Sequence, residues 1–293
     1  IQRGGMFREL VVLDLDRKRA EGVALDMRYA TPLSPTVDVR AGDYDALAGA
    51  ELVIITAGVN EKAGGATDRA DPDGRRRLLD TNAEVYRDVV PKVVAATPDA
   101  VLMVVTDPPD PLADLTRRLA GHDRVFSTGT LIDSLRFQVH LAERLHIRPR
   151  DVQAMVVGEH GTSEVLLWSS ARVSGIPVLD LLRDGDQPID EMKERIENDI
   201  RYANITIIEG TGASQYGIGA VSARLAEAVL RDEGAVLPVA AYSPAYDVTL
   251  SLVSVLGAGG VQRMYEPAMT GEERAALERS AEILRAAARS ILD

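Results

Sequence analysis

The sequence predicts an α/β protein in which a doubly wound parallel sheet is followed by an α+β domain. Residues 9–14, 52–56 and 101–106 are short, mostly apolar runs rich in β-branched residues. Runs that are apolar on both faces are typical of parallel strands covered by helices on both sides. Residues 78–97 have a helical pattern and lie between two of these runs, as an alternation of strands and helices requires.

The second half of the chain is expected to mix short strands with helices. A strand over residues 154–157 ends in a glycine-containing turn, and a long helix is expected over 191–208. Because the pattern changes there, we place a domain boundary near residue 129. This gives a sheet domain over 1–129 and an α+β domain over 130–293.

The last part of the chain contains two local signals. Residues 250–264 alternate around the glycine-rich turn at 257–260, which predicts an antiparallel hairpin. Thr270 and Glu273 have the spacing of a capping box, in which each side chain bonds the other residue's backbone N–H. They predict a final helix that ends near Leu292.

Composition disfavours several classes of function. The chain of 293 residues has a formal net charge of −12 and a pI of about 4.9, so its surface repels nucleic acids and anionic membranes. It has no cysteine for a disulfide or a thiolate metal site, which fits a cytoplasmic protein. No His/Asp/Glu cluster has metal-ligand spacing. The apolar runs are too short to cross a bilayer. We expect no nucleic-acid, membrane or metal partner.

Asp14 ends the first predicted strand and suggests a cofactor. In Rossmann-type domains such a carboxylate accepts hydrogen bonds from the ribose of NAD. The glycine-rich turn of these domains stands roughly 20 residues earlier. Only 13 residues precede Asp14, and residues 1–5 contain no strand. We therefore expect the domain to lack its first strand and glycine-rich turn, and to bind NADH weakly over the residues present.

Four segments carry a resemblance to a known family. They are Ile-Thr-Ala-Gly at 55–58, Gly-Thr-Leu-Ile-Asp-Ser-Leu-Arg-Phe at 129–137, Gly-Glu-His-Gly at 158–161 and Val-Leu-Leu-Trp-Ser-Ser at 165–170. With these segments in this order and spacing, the chain resembles the lactate/malate dehydrogenases over nearly its whole length, and is closer to L-lactate dehydrogenase. The resemblance implies NAD as cofactor and reversible hydride transfer between NADH and a 2-oxo acid.

Three residues are expected to handle the substrate, by their chemistry and by the resemblance together. His160 is expected to donate the proton to the carbonyl oxygen, because imidazole exchanges protons near neutral pH. Asp133 is expected to hold the imidazole in one tautomer. Arg136 is expected to bind the substrate carboxylate with two parallel N–H donors. Taken alone, Asp133 and Arg136 could equally form an i, i+3 ion pair on a helix.

A fourth residue is expected to polarise the carbonyl from a mobile loop. Arg69, Arg75, Arg76 and Arg77 are the candidates in this stretch. Arg75 is chosen because a leucine follows it after three residues and an asparagine after seven, as the resemblance requires. Arg76 and Arg77 are expected to be solvated helix charges.

The resemblance also implies further contacts with substrate and cofactor. The residues expected to touch the substrate are Arg136, Asp107, Ser214 and Glu61. The residues expected to touch NAD are Asp14, Thr56, Ala57, Gly58, Asn82, Val105 and Asp107.

Asp107 departs from the family pattern, and Glu61 is expected to decide between substrates. Asp107 stands where the family usually has an asparagine, and an ionised carboxylate cannot donate a hydrogen bond. Glu61 stands where lactate enzymes usually have glutamine and malate enzymes arginine. A carboxylate there predicts a monocarboxylic 2-oxo acid, unless the long loop that follows brings Lys62 or Arg69 into the site instead.

Together these observations predict an NAD-dependent L-2-hydroxy-acid dehydrogenase, most similar to L-lactate dehydrogenase. A malate or branched 2-hydroxy-acid dehydrogenase is the alternative within the same chemistry. A truncated, inactive chain that keeps the fold for assembly is the alternative of a different class. The resemblance also implies a cytoplasmic homodimer or homotetramer.

Overall fold

A computed structural model describes residues 5–67, 74–183 and 188–292 of the chain. In its first half, strands and helices alternate as the sequence predicts. The elements are β1 (Glu9–Val12), α1 (Arg17–Tyr29), β2 (Asp38–Ala41), β3 (Leu52–Ile55), α2 (Gly74–Ala96), β4 (Val101–Val104), α3 (Pro109–Ala120) and β5 (Val125–Ser127).

The second half consists of short strands, helices and one long antiparallel meander. Its first part contains α4 (Leu131–Leu145), β6 (Val152–Gln153), β7 (Val156–Val157), β8 (Val165–Leu166), β9 (Arg172–Val173), β10 (Ile176–Pro177) and α5 (Val178–Leu181). Its second part contains α6 (Ile189–Arg201), α7 (Ala203–Thr211), α8 (Tyr216–Leu230), β11 (Ala235–Ser243), β12 (Val248–Gly257), β13 (Gly260–Tyr265) and α9 (Gly271–Leu292).

The main sheet has six strands in the order β13-β12-β11-β5-β4-β3. Strands β3, β4 and β5 are parallel, and β1 and β2 form a separate parallel pair, which confirms the predicted parallel sheet. The antiparallel strands β11–β13 of the second half extend the same sheet, because β11 pairs with β5 where Ala240 faces Ser127. The two halves of the chain therefore share one sheet.

Strand β4 shows why these strands are continuously apolar. Leu102 and Val104 pack into a core with α2 and α3, while Val101 and Met103 pack against α8 and β11. All four residues are buried, so helices or strands cover both faces of the sheet. This packing holds the carboxyl end of β4 at a fixed place.

The local signals near the end of the chain are confirmed. Strands β12 and β13 pair as an antiparallel hairpin in which Gly257 faces Gly260. The backbone N–H of Glu273 donates to Thr270 Oγ1 at 3.2 Å, and the N–H of Thr270 donates to Glu273 Oε2 at 2.8 Å. This capping box starts α9, which ends at Leu292 as predicted.

The long helix predicted over 191–208 is wrong in one respect, because it is interrupted at Tyr202. That residue has φ −108° and ψ 10°, and it separates α6 from α7. The buried residues of α6 recur every four positions up to Ile200, and the next buried residue is Ile205. In a continuous helix, a spacing of five residues would turn the second apolar side chain away from the core. The break at Tyr202 turns the apolar face of α7 back toward the core.

Candidate active site

The candidate site lies at the carboxyl ends of parallel strands, where α/β sheets generally bind ligands. Asp107 follows β4, and His160 follows β7. Asp133 and Arg136 lie one turn apart on α4, and Arg75 lies in the first turn of α2. The fold brings these five side chains, which are widely separated in sequence, into one cluster.

Asp133 joins His160 to Arg136. Its Oδ2 lies 2.6 Å from His160 Nδ1, and its Oδ1 accepts a hydrogen bond from Arg136 Nη1 at 2.9 Å. The carboxylate is 1% exposed. The sequence left two alternative roles for Asp133, an ion pair with Arg136 on the helix and a partner for the imidazole of His160. The same carboxylate makes both contacts. Because Nδ1 faces Asp133, Nε2 is the ring nitrogen left for a substrate.

The charges of this cluster favour a protonated imidazole. Burial by itself lowers the pKa of His160, but the charge and hydrogen bond of Asp133 and the charge of Asp107 outweigh it and raise that pKa to about 9. Burial opposes ionisation of Asp133 too, but the charges and hydrogen bonds of His160 and Arg136 lower its pKa. Imidazolium and carboxylate therefore coexist near neutral pH.

Arg75 lies against the backbone of His160. Its Nη2 donates to the carbonyl oxygen of His160 at 3.2 Å, and lies 3.9 Å from both Asp107 Oδ1 and Glu159 Oε1. Arg76 and Arg77 are exposed on the same helix, as expected. Arg69, the fourth candidate, lies outside the described residues.

Glu61 faces the site although the loop after it is long. The pKa of its carboxylate is affected by the side chain of Asn204 on α7 and by the charges of Asp107 and Arg75, so these groups lie near it. Burial, followed by the charge of Asp107, raises the pKa of Glu61. Lys62 is exposed. The structure thus places the carboxylate, and not the neighbouring lysine, toward Arg75.

Asn82 shapes the loops that follow β3 and β4. Its Oδ1 accepts the N–H of Val59 at 2.8 Å, and its Nδ2 donates to the carbonyl oxygens of Val59 at 3.1 Å and Asp107 at 2.8 Å. Gly58 has φ +151°, and a Cβ there would lie 2.7 Å from Asn82 Oδ1. Asn82 is fully buried and both of its amide protons are used, so it acts by positioning these loops.

The remaining residues assigned to NAD lie along the carboxyl ends of β1, β3 and β4. Asp14 follows β1, and its side chain accepts the N–H of Asp16 at 2.9 Å while staying 39% exposed. Thr56 and Ala57 follow β3, where Thr106 Oγ1 donates to the carbonyl oxygen of Ala57 at 2.8 Å. Val105, after β4, donates its N–H to the carbonyl oxygen of Ile55 at 3.0 Å. Asp14 therefore belongs to the separate β1–β2 pair, whereas Thr56, Ala57 and Val105 follow strands of the main sheet.

The described contacts do not join Ser214 to the cluster. It lies half-buried between α7 and α8, where the structure shows no hydrogen bond from its hydroxyl to another described residue.

Two buried acids at the site were missed by the sequence-based assignment. Asp110 accepts the backbone N–H of His160 at 2.8 Å and the hydroxyl of Ser127 at 2.6 Å. Burial raises its pKa to about 6, against the effect of those two hydrogen bonds. Asp110 stands three residues after Asp107, so an acid close to an assigned residue was a signal for it. Glu164, just before β8, lies near Asp133 and His160, and burial raises its pKa well above the usual value.

The described residues contain neither a helix suited to a membrane nor a cluster suited to a metal ion. No helix in the ranges 5–67, 74–183 and 188–292 is long and apolar enough to span a membrane. The same part of the chain has no group of three or more His, Cys, Asp or Glu side chains that could hold a metal ion.

Comparison with known proteins identifies the family. The family model for the NAD binding domain of lactate/malate dehydrogenases matches residues 1–127, and the model for their α/β C-terminal domain matches residues 130–293. L-lactate dehydrogenase of Thermus aquaticus is 44% identical over 98% of this chain and 92% of its own length. L-lactate dehydrogenase of Deinococcus radiodurans is 43% identical over 96% of this chain and 90% of its own length.

Solved structures agree with these matches. The ligand-bound minor L-lactate dehydrogenase of Enterococcus mundtii superposes with a TM-score of 0.90 and 32% identity, over 100% of this chain and 93% of that one. A lactate dehydrogenase from a Medee basin deep-sea metagenome library gives a TM-score of 0.89 and 32% identity, over 99% and 92% of the two chains. The chain belongs to the lactate/malate dehydrogenase family and is an NAD-dependent oxidoreductase that acts on CH–OH groups.

Proposed function

We propose that this chain reduces a monocarboxylic 2-oxo acid to the L-2-hydroxy acid with NADH, and catalyses the reverse reaction, as an L-lactate dehydrogenase does. The observation that carries the proposal is the continuous link from Arg136 through Asp133 to His160. This link supports the proposal, because a guanidinium suited to a carboxylate and an imidazole suited to proton transfer would both be needed by the substrate.

Each residue of the cluster has a role in this reaction. Arg136 binds the substrate carboxylate, and His160 Nε2–H points to the carbonyl oxygen. Bound NADH supplies the hydride for the carbonyl carbon. As that bond forms, the N–H bond of His160 breaks, its proton forms the O–H bond of the product, and the imidazole is left neutral. Asp133 holds the ring orientation, and Arg75 stabilises the negative charge that develops on the oxygen.

The cofactor is proposed to lie across the carboxyl ends of β3 and β4 in the main sheet and of β1 in the separate pair. Asp14 accepts the ribose hydroxyls, and the loop residues Thr56, Ala57, Gly58 and Val105 line the path toward His160. Asp107 lies where that path meets the substrate. Since a carboxylate at Asp14 repels the extra phosphate of NADP, NADH should be used in preference to NADPH.

Glu61 is proposed to select against a second substrate carboxylate. Its carboxylate lies near Asp107, so this side of the site already carries two acidic groups. A like charge brought close to them in a water-poor site is costly. Pyruvate or an oxo acid with a neutral side chain should therefore be preferred over oxaloacetate. Ser214 is proposed to line the same pocket.

Domain organisation and assembly are part of the proposal. We place the boundary between the NAD-binding domain (1–129) and the substrate domain (130–293) at Gly129, since the two family models meet there. We propose a cytoplasmic homodimer or homotetramer. Leu135 and Val139, each 40% exposed on α4 beside Arg136, support assembly because they form an apolar strip on the surface.

An absorbance assay of NADH oxidation tests the function. The full chain is given pyruvate, 2-oxoisocaproate or oxaloacetate, each with NADH and with NADPH. We expect one of the two monocarboxylic acids to have the highest kcat/KM, and NADH to be preferred. Oxaloacetate as the best substrate would make the chain a malate-type enzyme. Binding of NADH without turnover of any 2-oxo acid would leave it a non-catalytic member of the family.

A further inference from the structure

Asp107 has a carboxylate whose two oxygens are buried and accept no hydrogen bond from any residue that the structure describes. Its nearest cationic atoms are Arg75 Nη2 at 3.9 Å and His160 Nε2 at 4.0 Å from Oδ1. Burying an ionised carboxylate is costly unless positive charge lies nearby, and in the described site these two atoms provide that charge.

The imidazole of His160 therefore lies between two carboxylates on opposite edges of the ring. Asp133 Oδ2 is 2.6 Å from Nδ1, and Asp107 Oδ1 is 4.0 Å from Nε2. The first distance is a hydrogen bond, and the second is too long for a hydrogen bond and is an interaction of charges. His160 Nε2 and Arg75 Nη2 thus both lie within 4.0 Å of the same oxygen, Asp107 Oδ1.

The other charged groups around His160 do not duplicate this contact. Arg136 opposes protonation of the ring, and Glu164 and Asp110 interact with it from other sides. The charged groups that face His160 are Asp133 and Arg136 on α4, Asp107 after β4, Arg75 on α2, Asp110 on α3 and Glu164 before β8. Among these groups, Asp107 is the carboxylate whose oxygen lies within 4.0 Å of Nε2, the atom that donates the proton.

We propose that Asp107 is a positioning residue whose negative charge keeps the proton on His160 Nε2. The asparagine that the family usually has at this position carries no charge. The proposal rests on the proposed role of His160 as proton donor. In the free site the imidazole takes up its proton before the oxo acid arrives. After the proton is transferred, the neutral ring again faces two carboxylates, which favours its reprotonation from solvent.

This arrangement has a consequence for the direction of the reaction. Oxidation of a 2-hydroxy acid requires a neutral imidazole to accept the hydroxyl proton, and two carboxylates disfavour that form. Reduction of the oxo acid is therefore supported across neutral pH, and oxidation is displaced to alkaline pH. Replacing Asp107 by Asn removes the charge but keeps the size and planar shape of the side chain.

A titration of the histidine imidazoles by NMR tests the proposal directly. The chain has four histidines, at 122, 140, 146 and 160, so His160→Asn assigns the signal of His160. The full chain, Asp107→Asn and Asp107→Ala are titrated from pH 5 to 10. An opposite charge within roughly 4–6 Å changes a pKa by about 1–3 units, so both variants should lower the pKa of His160 by about one unit or more.

The matched control is Asp99→Asn, which removes one carboxylate that is 97% exposed and far from the cluster. It should leave the His160 signal unchanged. An unchanged His160 pKa in both Asp107 variants overturns the proposal. A lowered pKa in Asp107→Asn alone overturns it too, since the cause would then be the amide donors and not the lost charge. Because these readouts need no substrate, they are independent of which oxo acid the chain reduces.

Discussion

Asp110 holds the backbone of His160 by accepting its N–H at 2.8 Å with a carboxylate that is fully buried. Asp110 lies in the first turn of α3, in the first half of the chain, whereas His160 follows β7 in the second half. The other oxygen of Asp110 accepts the hydroxyl of Ser127, and Ser127 Oγ accepts the N–H of Gly129 at 3.1 Å. The position of His160 thus depends on contacts between the two halves of the chain.

Removing the hydroxyl of Ser127 should destabilise the protein. Ser127→Ala leaves the buried Asp110 carboxylate without one donor and the Gly129 N–H without its acceptor. An unsatisfied buried polar group costs about 1–3 kcal/mol. We expect the free energy of unfolding in urea to fall by that amount. Ser290→Ala, which removes an exposed hydroxyl on α9, should change it by less than about 0.5 kcal/mol. Equal stability of the two variants would contradict the role of Ser127.

Loss of the His160 imidazole should remove most turnover. General acid–base catalysis contributes about 10²–10⁴-fold, so His160→Asn should lower kcat by a factor in that range. His140→Asn, at a half-buried position on α4, is the matched control and should keep kcat. The measurement is steady-state reduction of the best oxo acid, with the melting temperature confirming that both variants fold. A near-normal kcat in His160→Asn would assign the proton donor elsewhere.

Arg136→Lys should mainly weaken substrate capture. Lysine keeps the charge but cannot present two parallel N–H donors to a carboxylate. A hydrogen bond to a charged group contributes about 1.5–3 kcal/mol, so KM should rise roughly 10- to 100-fold, and more than kcat falls. Arg144→Lys, near the end of the same helix, should leave KM unchanged. A fall in kcat alone would show that Arg136 acts through Asp133 and not on the substrate.

Asp133→Asn should move the pH profile of reduction. The pKa of His160 is about 9, and the charge of Asp133 is the largest factor that raises it. Without that charge the proton is lost at lower pH, so the alkaline limb of kcat/KM should move down by about 1–3 pH units. Asp180→Asn removes an acid that is paired with Arg183 on the surface and should leave the limb in place. An unmoved limb in Asp133→Asn would mean that it reports a group other than His160.

Glu61→Gln should relax discrimination against a dicarboxylate. The variant removes a carboxylate that lies near Asp107 and Arg75. We expect kcat/KM for oxaloacetate relative to pyruvate to rise roughly tenfold, which corresponds to about 1.4 kcal/mol. Glu84→Gln, with a side chain 75% exposed on α2, should not alter the ratio. If Glu61→Gln left the ratio unchanged, another residue would select the substrate.

Local sequence patterns were sufficient for most of the fold. Apolar runs marked β3 and β4, and the capping pair Thr270 and Glu273 marked the start of α9, because these signals depend on neighbours in the chain. The family motifs predicted His160, Asp133 and Arg136 for the same reason, since each motif is local. The break at Tyr202 has no local signal, because residues on both sides of it favour a helix and only the spacing of five from Ile200 to Ile205 departs from the pattern.

Contacts between distant residues were decided by the tertiary structure alone. No local pattern shows that Asp110 holds the backbone of His160, or that Asp107 faces Nε2, because both contacts form only when separate elements pack together. Whether a buried carboxylate is paired, and how a neighbouring charge moves a pKa, depends on distances in three dimensions. The sequence by itself determined the local motifs that contain His160, Asp133 and Arg136, and the packing of α3, α4 and β7 decided which other groups join them and which atoms are hydrogen-bonded.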